Sequence, residues 1–462
     1  MTQEFNCISP IDGSIYTKRQ YTAPSAMADH LQKAVQVQKQ WAKTPLKQRQ
    51  SICSAAIDHL VANKETLATE ICWQMGRPIA FAAGEINGLE ERARKMIELS
   101  DEALARIKIP QKQGFERWIQ RDPVGVVLII APWNYPYLTA INSLVPALLA
   151  GNSVLLKHSA QTPLVSERLA EAFTAAGLPD GLLQALHLTH DATEQLIQSS
   201  KVNYIAFTGS TKGGAIIEQA AVGRFVKLGL ELGGKDPAYV RADADLEVAV
   251  ETTMDGAFFN SGQSCCGIER IYVADPIYDD FLAKAIAWVN QLKLGRSDET
   301  KTTLGPMVNQ KAADFVRGQI KQACKQGAMT HIDEINFPMD TGNSAYLMPQ
   351  ILTQVDHSMS LMMDESFGPV IGIQKVASDQ EAVMLINDSP FGLTASIFTQ
   401  DLSHGIELGQ SIESGTFFIN RCDYLDPELA WTGVKDSGSG CSLSVLGFDA
   451  VTQPKSFHIK QI

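Results

Sequence analysis

The sequence has no apolar run long enough to span a bilayer. The longest, Val124 to Pro132, covers about nine residues, where a spanning helix needs ~20. It also has no internal repeat and no low-complexity linker, which excludes solenoid and array architectures. Basic residues are in the minority: 39 Lys and Arg against 51 Asp and Glu leave a formal net charge of -12. That balance argues against a nucleic-acid scaffold, because phosphate backbones call for clustered cations. The start, MTQEFNCISPIDGSIY, has no basic segment followed by an apolar one, so no secretory signal is read there. Eight cysteines are scattered without repeat spacing. Free thiols in a cytoplasmic protein are expected in place of a disulfide framework. Nine histidines are scattered too. The closest pair, His187 and His190, has no cysteine or carboxylate cluster beside it, so no metal site is expected.

What is present describes a soluble α/β protein. At 462 residues, 45% hydrophobic and 19% charged, the chain suits two or three packed domains. Residues 26–106 carry helical periodicity, broken at Pro45 and at Gly76-Arg77-Pro78. From Gly125 to Gly233 short apolar runs (125–132, 153–158, 182–188, 204–209, 225–234) alternate with helix-length amphipathic segments. That alternation indicates a parallel sheet covered on both faces. A second series, with runs at 268–274, 370–376 and 415–420, indicates a second α/β domain. Residues 115–123 and 454–460 alternate with period two outside both series, as strands of an arm or an internal edge would.

A parallel sheet binds ligands beyond the carboxyl ends of its strands, so the turns after each run are the places to look for chemistry. Gly209-Ser210-Thr211-Lys212-Gly213-Gly214 follows a strand and opens a helix, where backbone N–H groups can approach a diphosphate. The usual early-glycine dinucleotide pattern and the P-loop ending are both absent, and an empty tight turn would look the same. Cys265, in Phe258-Phe259-Asn260-Ser261-Gly262-Gln263-Ser264-Cys265-Cys266-Gly267, is a candidate nucleophile. Taken alone, such a cysteine is more often a small buried hydrophobe. It needs a helper, and Glu231 is the better candidate because an acid at the end of an apolar strand is otherwise unexpected. Burial there would raise its pKa toward that of a general base. Asn134, in Pro132-Trp133-Asn134-Tyr135-Pro136, offers an amide donor suited to an oxyanion. It is equally a turn asparagine between prolines.

Taken together, PWNYP, FTGST, LELGGK, FFNSGQSC and Glu365-Ser366-Phe367-Gly368-Pro369 resemble the aldehyde dehydrogenase superfamily in order and spacing, from the Ser9-Pro10 region to the C-terminus. The resemblance implies an aldehyde dehydrogenase-like α/β fold, with a Rossmann-like NAD(P)-binding domain (1–114 and 124–230) and an α/β catalytic domain (231–438). It implies an oligomerisation arm (115–123 and 439–462) that joins subunits of a homodimer or homotetramer. By the same resemblance, Cys265 attacks the aldehyde, while Asn134 and the Cys265 N–H hold the oxyanion. Glu231 activates the water that hydrolyses the thioester formed from the cysteine thiohemiacetal. Lys157 and Glu365 are placed on ribose hydroxyls, Phe367 beside the nicotinamide, and Gly209, Ser210 and Gly214 at the diphosphate. Trp133 and Leu232 line the cofactor cleft.

Two departures bear on specificity. Lys157-His158-Ser159-Ala160 has alanine where many NAD+-preferring relatives have glutamate. With Lys157 and Ser159 close by, NADP or NAD is expected as cofactor, NADP+ being tolerated and its preference left open. Succinate-semialdehyde dehydrogenases resemble one another in two arginines, and Asn142 and Phe259 stand at the matching positions here. A wall of Tyr135, Leu138, Thr139, Asn142, Phe259, Ser264, Cys266 and Trp431 suits an uncharged aliphatic or aromatic aldehyde. A semialdehyde is the alternative if an arginine comes from elsewhere, Arg421 and Arg121 being the ones to check. A CoA-acylating dehydrogenase would not need Glu231. A non-enzymatic relative would have lost Cys265, Glu231 or Asn134, and a cysteine hydrolase lacks a partner histidine. Cys266 is expected to pack rather than to react.

Overall fold

The computed structural model describes residues 3–461; Met1, Thr2 and Ile462, at the outer ends of the expected divisions, lie outside the described residues. Two parallel sheets organise it. In the first, the spatial order is Gly438–Ser439, Lys227–Glu231, Tyr204–Thr208, Val126–Ala131, Ser153–His158, Leu183–Ala185. Only Gly438–Ser439 runs antiparallel to its neighbour. Val126–Ala131 is buried along its whole length, which is why it reads as one apolar run and not as an alternation. Its side chains still divide by parity. Val127 and Ile129 join the core shared with Trp41, Ile57, Ile86 and Leu144, and Val126, Leu128 and Ile130 join the opposite core with Leu155, Leu196 and Ile205.

The chain enters this sheet at its middle strand, builds outward through Ser153–His158, then returns to Tyr204–Thr208 on the other side. The reversal opens a crevice past Ala131 and Thr208, where strand order switches and ligands bind in such sheets. The second sheet has the order Met329–Thr330, Gln350–Thr353, Val370–Val376, Ile268–Ala274, Asp236–Val240, Thr394–Phe398, Thr416–Ile419. It too has a core on each face: Ile271 and Val273 pack to one side, Tyr272 and Ala274 to the other.

The helical region breaks where the prolines demand, with one further stop at Asn63, between Leu46–Ala62 and Lys64–Met75. The helix Ile79–Ala103 follows Gly76, whose φ of 86° only glycine adopts cheaply, and Pro78. The apolar run at 182–188 forms only three residues of strand, Leu183–Ala185, because it lies at the sheet edge with one neighbour. Phe115–Pro123 and Thr452–Lys460 pair antiparallel through nine positions and, among the described residues, form a sheet with no other strand. Trp118 stacks on Phe457 across that ribbon, 4.5 Å between centroids. No helix among the described residues is long and apolar enough to cross a membrane.

Candidate active site

Cys265 follows three consecutive residues with left-handed backbone: Asn260 (φ 53°), Ser261 (φ 57°) and Gly262 (φ 69°). For the two non-glycines this costs ~1–3 kcal/mol each and persists only if neighbours over-determine it. They do. Asn260 Nδ2 donates to the carbonyls of Asn134 (3.3 Å) and Gln263 (3.2 Å). Ser261 Oγ donates to Gly305 O at 2.8 Å, and Gln263 Oε1 accepts from Val308 N at 2.7 Å. A Cβ on Gly262 would lie 2.2 Å from the carbonyl oxygen of Gly368, so glycine is required there. The result is a rigid turn that presents Cys265, half-buried, to a cavity.

Glu231 ends the strand Lys227–Glu231 and lines the same cavity. Its carboxylate accepts from Ser442 Oγ (2.5 Å) and Thr208 Oγ1 (3.1 Å). Burial raises its pKa, and the two hydroxyl donors and the charge of Arg92 restrain the rise. Asn134 is buried, its Nδ2 donating to Gln263 O at 3.2 Å, two residues before the cysteine. Thiol, carboxylate and amide, drawn from three separate segments, thus converge on one end of the first sheet. Cys266, next to Cys265, is buried. Its thiol and Ser264 Oγ both donate to Asp423 Oδ1, at 2.9 and 3.0 Å. Hydrogen bonding to Cys265 and burial hold the Cys266 thiol well above its usual pKa, so it stays a thiol.

A second group lies along the crevice beside this one. Ser210 caps the helix Thr211–Ala220, its Oγ accepting from Gly213 N at 3.2 Å, and no acid stands in that helix's first turn. A Cβ on Gly214 would lie 2.6 Å from Leu232, and one on Gly233 would lie 2.3 Å from the Glu365 carboxylate. Gly209 N donates to Glu231 O at 3.0 Å, tying the turn to the end of the strand Lys227–Glu231. Lys157 is half-buried at a strand end and has no hydrogen-bond or ion-pair partner among the described residues; burial lowers its pKa. Ser159 Oγ accepts from Gln161 N at 3.2 Å. Trp133 meets Phe367 edge to face at 5.7 Å, and Phe367 itself has φ 51°. A helix N-terminus with no acidic residue in its first turn, an unpaired ammonium and glycine-lined clefts fit a dinucleotide.

The cavity at Cys265 has a volume of about 390 Å³. Tyr135, Leu138, Thr139, Asn142, Phe259, Ser264, Cys266 and Trp431, all expected as wall residues, line it. Neither arginine singled out from the sequence is among the lining residues. Arg121 pairs with Asp449, and Arg421 is exposed with its guanidinium 3.7 Å from the Tyr424 ring. The wall does hold a cation, however: Arg92, from the helix Ile79–Ala103. His187, discounted as a metal ligand, bonds Glu167 at 2.8 Å.

Comparison with known proteins places this arrangement. A sequence model of the aldehyde dehydrogenase family matches residues 1–457. The chain is 31% identical to the NADP(+) succinate-semialdehyde dehydrogenase of Deinococcus radiodurans, over 99% of this chain and 96% of that one. It is 32% identical to betaine aldehyde dehydrogenase 2 of Rhizobium meliloti, over 99% and 94%. The crystal structure of succinic semialdehyde dehydrogenase from Streptococcus pyogenes with NADP+ superposes with a TM-score of 0.94 at 29% identity, covering 99% of this chain and all of that one. The chain belongs to the aldehyde dehydrogenase family. It is an NAD(P)+-dependent aldehyde dehydrogenase with the α/β fold of that family.

What the sequence motifs missed in this dehydrogenase is the layer that holds the motif residues. Arg77 and Glu85 form a fully buried ion pair. Arg77 Nη2 donates to Asn134 O at 2.6 Å, its Nε donates to Asn260 Oδ1 at 3.1 Å, and its guanidinium lies 4.3 Å from the Tyr135 ring. Glu85 Oε1 accepts from Tyr137 N at 2.7 Å, at the start of the helix Pro136–Ala150. A second buried pair, Lys235 with Glu269, plays the same part for the turn after Glu365: Glu269 accepts from the N–H of Ser366 (2.7 Å) and Phe367 (2.9 Å). The spacing Phe81, Glu85, Gly88, Arg92 along one helix face was the available signal, since it puts charge on a face that is otherwise core.

Removing one partner of a buried pair typically costs ~3–5 kcal/mol. Arg77→Met is therefore expected to lower the unfolding free energy by that order, read as a lower urea midpoint, and to reduce activity, with Arg77→Met/Glu85→Leu regaining part of the stability. Wild-type stability in Arg77→Met would disprove the bracing role. Burial, followed by the charge of Glu269, raises Glu365 to about 8. The resemblance implies that Glu365 accepts from ribose hydroxyls as a carboxylate; on that reading cofactor binding should release a proton and tighten as pH rises through that value. Fluorescence titration of NAD(P)+ between pH 6.5 and 9 measures this, and Glu365→Gln should flatten the profile.

Proposed function

We propose that Cys265 attacks the aldehyde carbonyl and that Asn134 Nδ2, with the Cys265 backbone N–H, stabilises the resulting oxyanion. The observation carrying this reading is the convergence of Cys265, Glu231 and the wall residues on one cavity while Asn134 abuts the same loop. Bound along the Ser210–Glu365 crevice, NAD(P)+ supplies the hydride acceptor that takes the thiohemiacetal to a thioester. Glu231 then acts as the base for hydrolysis. Its carboxylate faces the cavity from the strand end, its pKa is raised by burial, and Ser442 and Thr208 hold its orientation. Orientation matters here, because a base must lie within hydrogen-bond reach of the water it activates.

Residues 1–114 with 124–230, 231–438, and 115–123 with 439–462 are read as cofactor-binding part, catalytic part and subunit-bridging arm. A two-stranded ribbon marginal on its own supports the last, through a homodimer or homotetramer. Eight free cysteines support a cytoplasmic setting. As to substrate, the mixed aromatic and polar wall suits an uncharged aliphatic or aromatic aldehyde. Arg92 favours a second reading, developed below.

Cys265→Ala should abolish NAD(P)H formation and leave cofactor binding intact, and substantial residual turnover would reject the nucleophile. Glu231→Gln should keep a stoichiometric NAD(P)H burst and slow steady-state turnover by ~10²-fold or more. A lost burst in folded protein would mean that Glu231 acts before hydride transfer. For the cofactor, alanine at position 160 and the unpaired Lys157 lead to NADP+ supporting turnover at least comparably to NAD+. A hundredfold preference for NAD+ in kcat/KM would refute that.

A further inference from the structure

The cavity of this enzyme contains one arginine that nothing else in the chain uses fully. Arg92 lines it one helical turn beyond Gly88, on the face that also carries Phe81, Gly84 and Glu85. Gly84 has open space where a Cβ would stand, so the helix leaves room along this wall. The other guanidinium in the cavity, Arg77, is saturated by Glu85, Asn134 and Asn260. Arg92 is not. Its Nη1 reaches the Leu138 carbonyl at 3.4 Å and Asn142 Oδ1 at 3.2 Å, both neutral, and among the described residues it makes no ion pair and Nε and Nη2 have no acceptor.

A half-buried guanidinium with two idle donors lacks its natural counterpart, since Arg is suited to bidentate contact with carboxylate or phosphate. It is close enough to the chemistry for its charge to act on Glu231 and on Asp423. The acidic groups on the walls are already engaged: Glu85 by Arg77, Asp423 by Ser264 and Cys266, and Glu231 by Ser442 and Thr208. Glu91 accepts from Tyr424 OH and, with Asp255, is exposed at the rim. The unsatisfied group inside is thus a cation.

We propose that Arg92 is a specificity-determining residue that binds an anionic tail of the aldehyde, so that the substrate is a short semialdehyde carrying a carboxylate at the end remote from the carbonyl. Asn142 and the Leu138 carbonyl orient the guanidinium through Nη1 and leave Nε and Nη2 for the carboxylate. The proposal rests on the reading of this cavity as the aldehyde site of Cys265.

Steady-state kinetics with butanal, 4-oxobutanoate and betaine aldehyde test it in the full-length enzyme. In the wild type, kcat/KM for 4-oxobutanoate should exceed that for butanal at least tenfold. Arg92→Met should lower kcat/KM for 4-oxobutanoate at least tenfold more than that for butanal, with the extra loss falling on KM; Arg92→Lys should recover part of it. A tenfold change corresponds to about 1.4 kcal/mol. A wild-type preference below tenfold, a preference for the cationic aldehyde, or equal loss on butanal and 4-oxobutanoate in Arg92→Met would overturn the proposal. Butanal oxidation by wild type separates the two readings. If it is normal, those results remove only the role of Arg92, and if no aldehyde is oxidised with either cofactor, the catalytic reading falls as well.

Discussion

The guanidinium of Arg77 holds together four pieces of chain that are remote in sequence. It is paired with Glu85 inside the helix Ile79–Ala103, and it also binds the carbonyl of Asn134 and the side chain of Asn260. Glu85 in turn accepts from the first N–H groups of the helix Pro136–Ala150, which stay unpaired within the helix itself. A charge taken so far out of water needs a close counter-ion and further acceptors, and all three nitrogens of Arg77 have an acceptor. Because Asn260 is one of the left-handed residues of the cysteine turn, the pair fixes that turn relative to the first sheet. The amide of Asn134 and the thiol of Cys265 therefore keep their mutual position without relying on either loop alone.

Around this brace, the same physical effect is tuned to different ends. Burial raises Glu231, Asp423 and Glu365 alike, but their partners differ. Two hydroxyls donate to Glu231 and steady its carboxylate form, as the proposed role of base requires. A hydroxyl and a thiol donate to Asp423, which burial brings to about 6 and which anchors the floor beneath the nucleophile. Glu365 has one backbone donor, Gly234 N at 3.1 Å, and feels the charge of Glu269. It is the least satisfied of the three, and it faces the cofactor crevice. His158 shows the opposite sign: burial pushes it down to about 3, so it remains neutral, bonded to Pro136 O and Ser159 N.

Much of this was legible before any coordinates. The continuous apolar runs at 125–132 and 204–209 mark strands buried on both faces, and the glycine turn and the acid after them fall at strand ends where a crevice opens. The edge strand at 183–185 was overread, because an apolar run at a sheet edge supports fewer ladder bonds than its composition suggests. The wall residues were legible from motif spacing. The cation among them was not: an arginine from outside positions 142 and 259 was allowed for at Arg421 or Arg121, but the one that lines the cavity is Arg92, on a helix remote in sequence from those motifs.

The amino-acid sequence by itself determined the family, through five motifs in order and spacing, and the two sheets, through their apolar runs; Cys265, Glu231 and Asn134 stood out as candidates by that resemblance and not by local pattern. The tertiary structure alone decided which side chains brace and tune them. Arg77, Glu85 and Arg92 belong to a helical region separated from the cysteine turn by more than 150 residues, and only packing of that helix against Pro136–Ala150 brings its charged face to the cavity. Local pattern carries no information about such a contact: a helix presents the same heptad whether its polar face meets water or a substrate pocket.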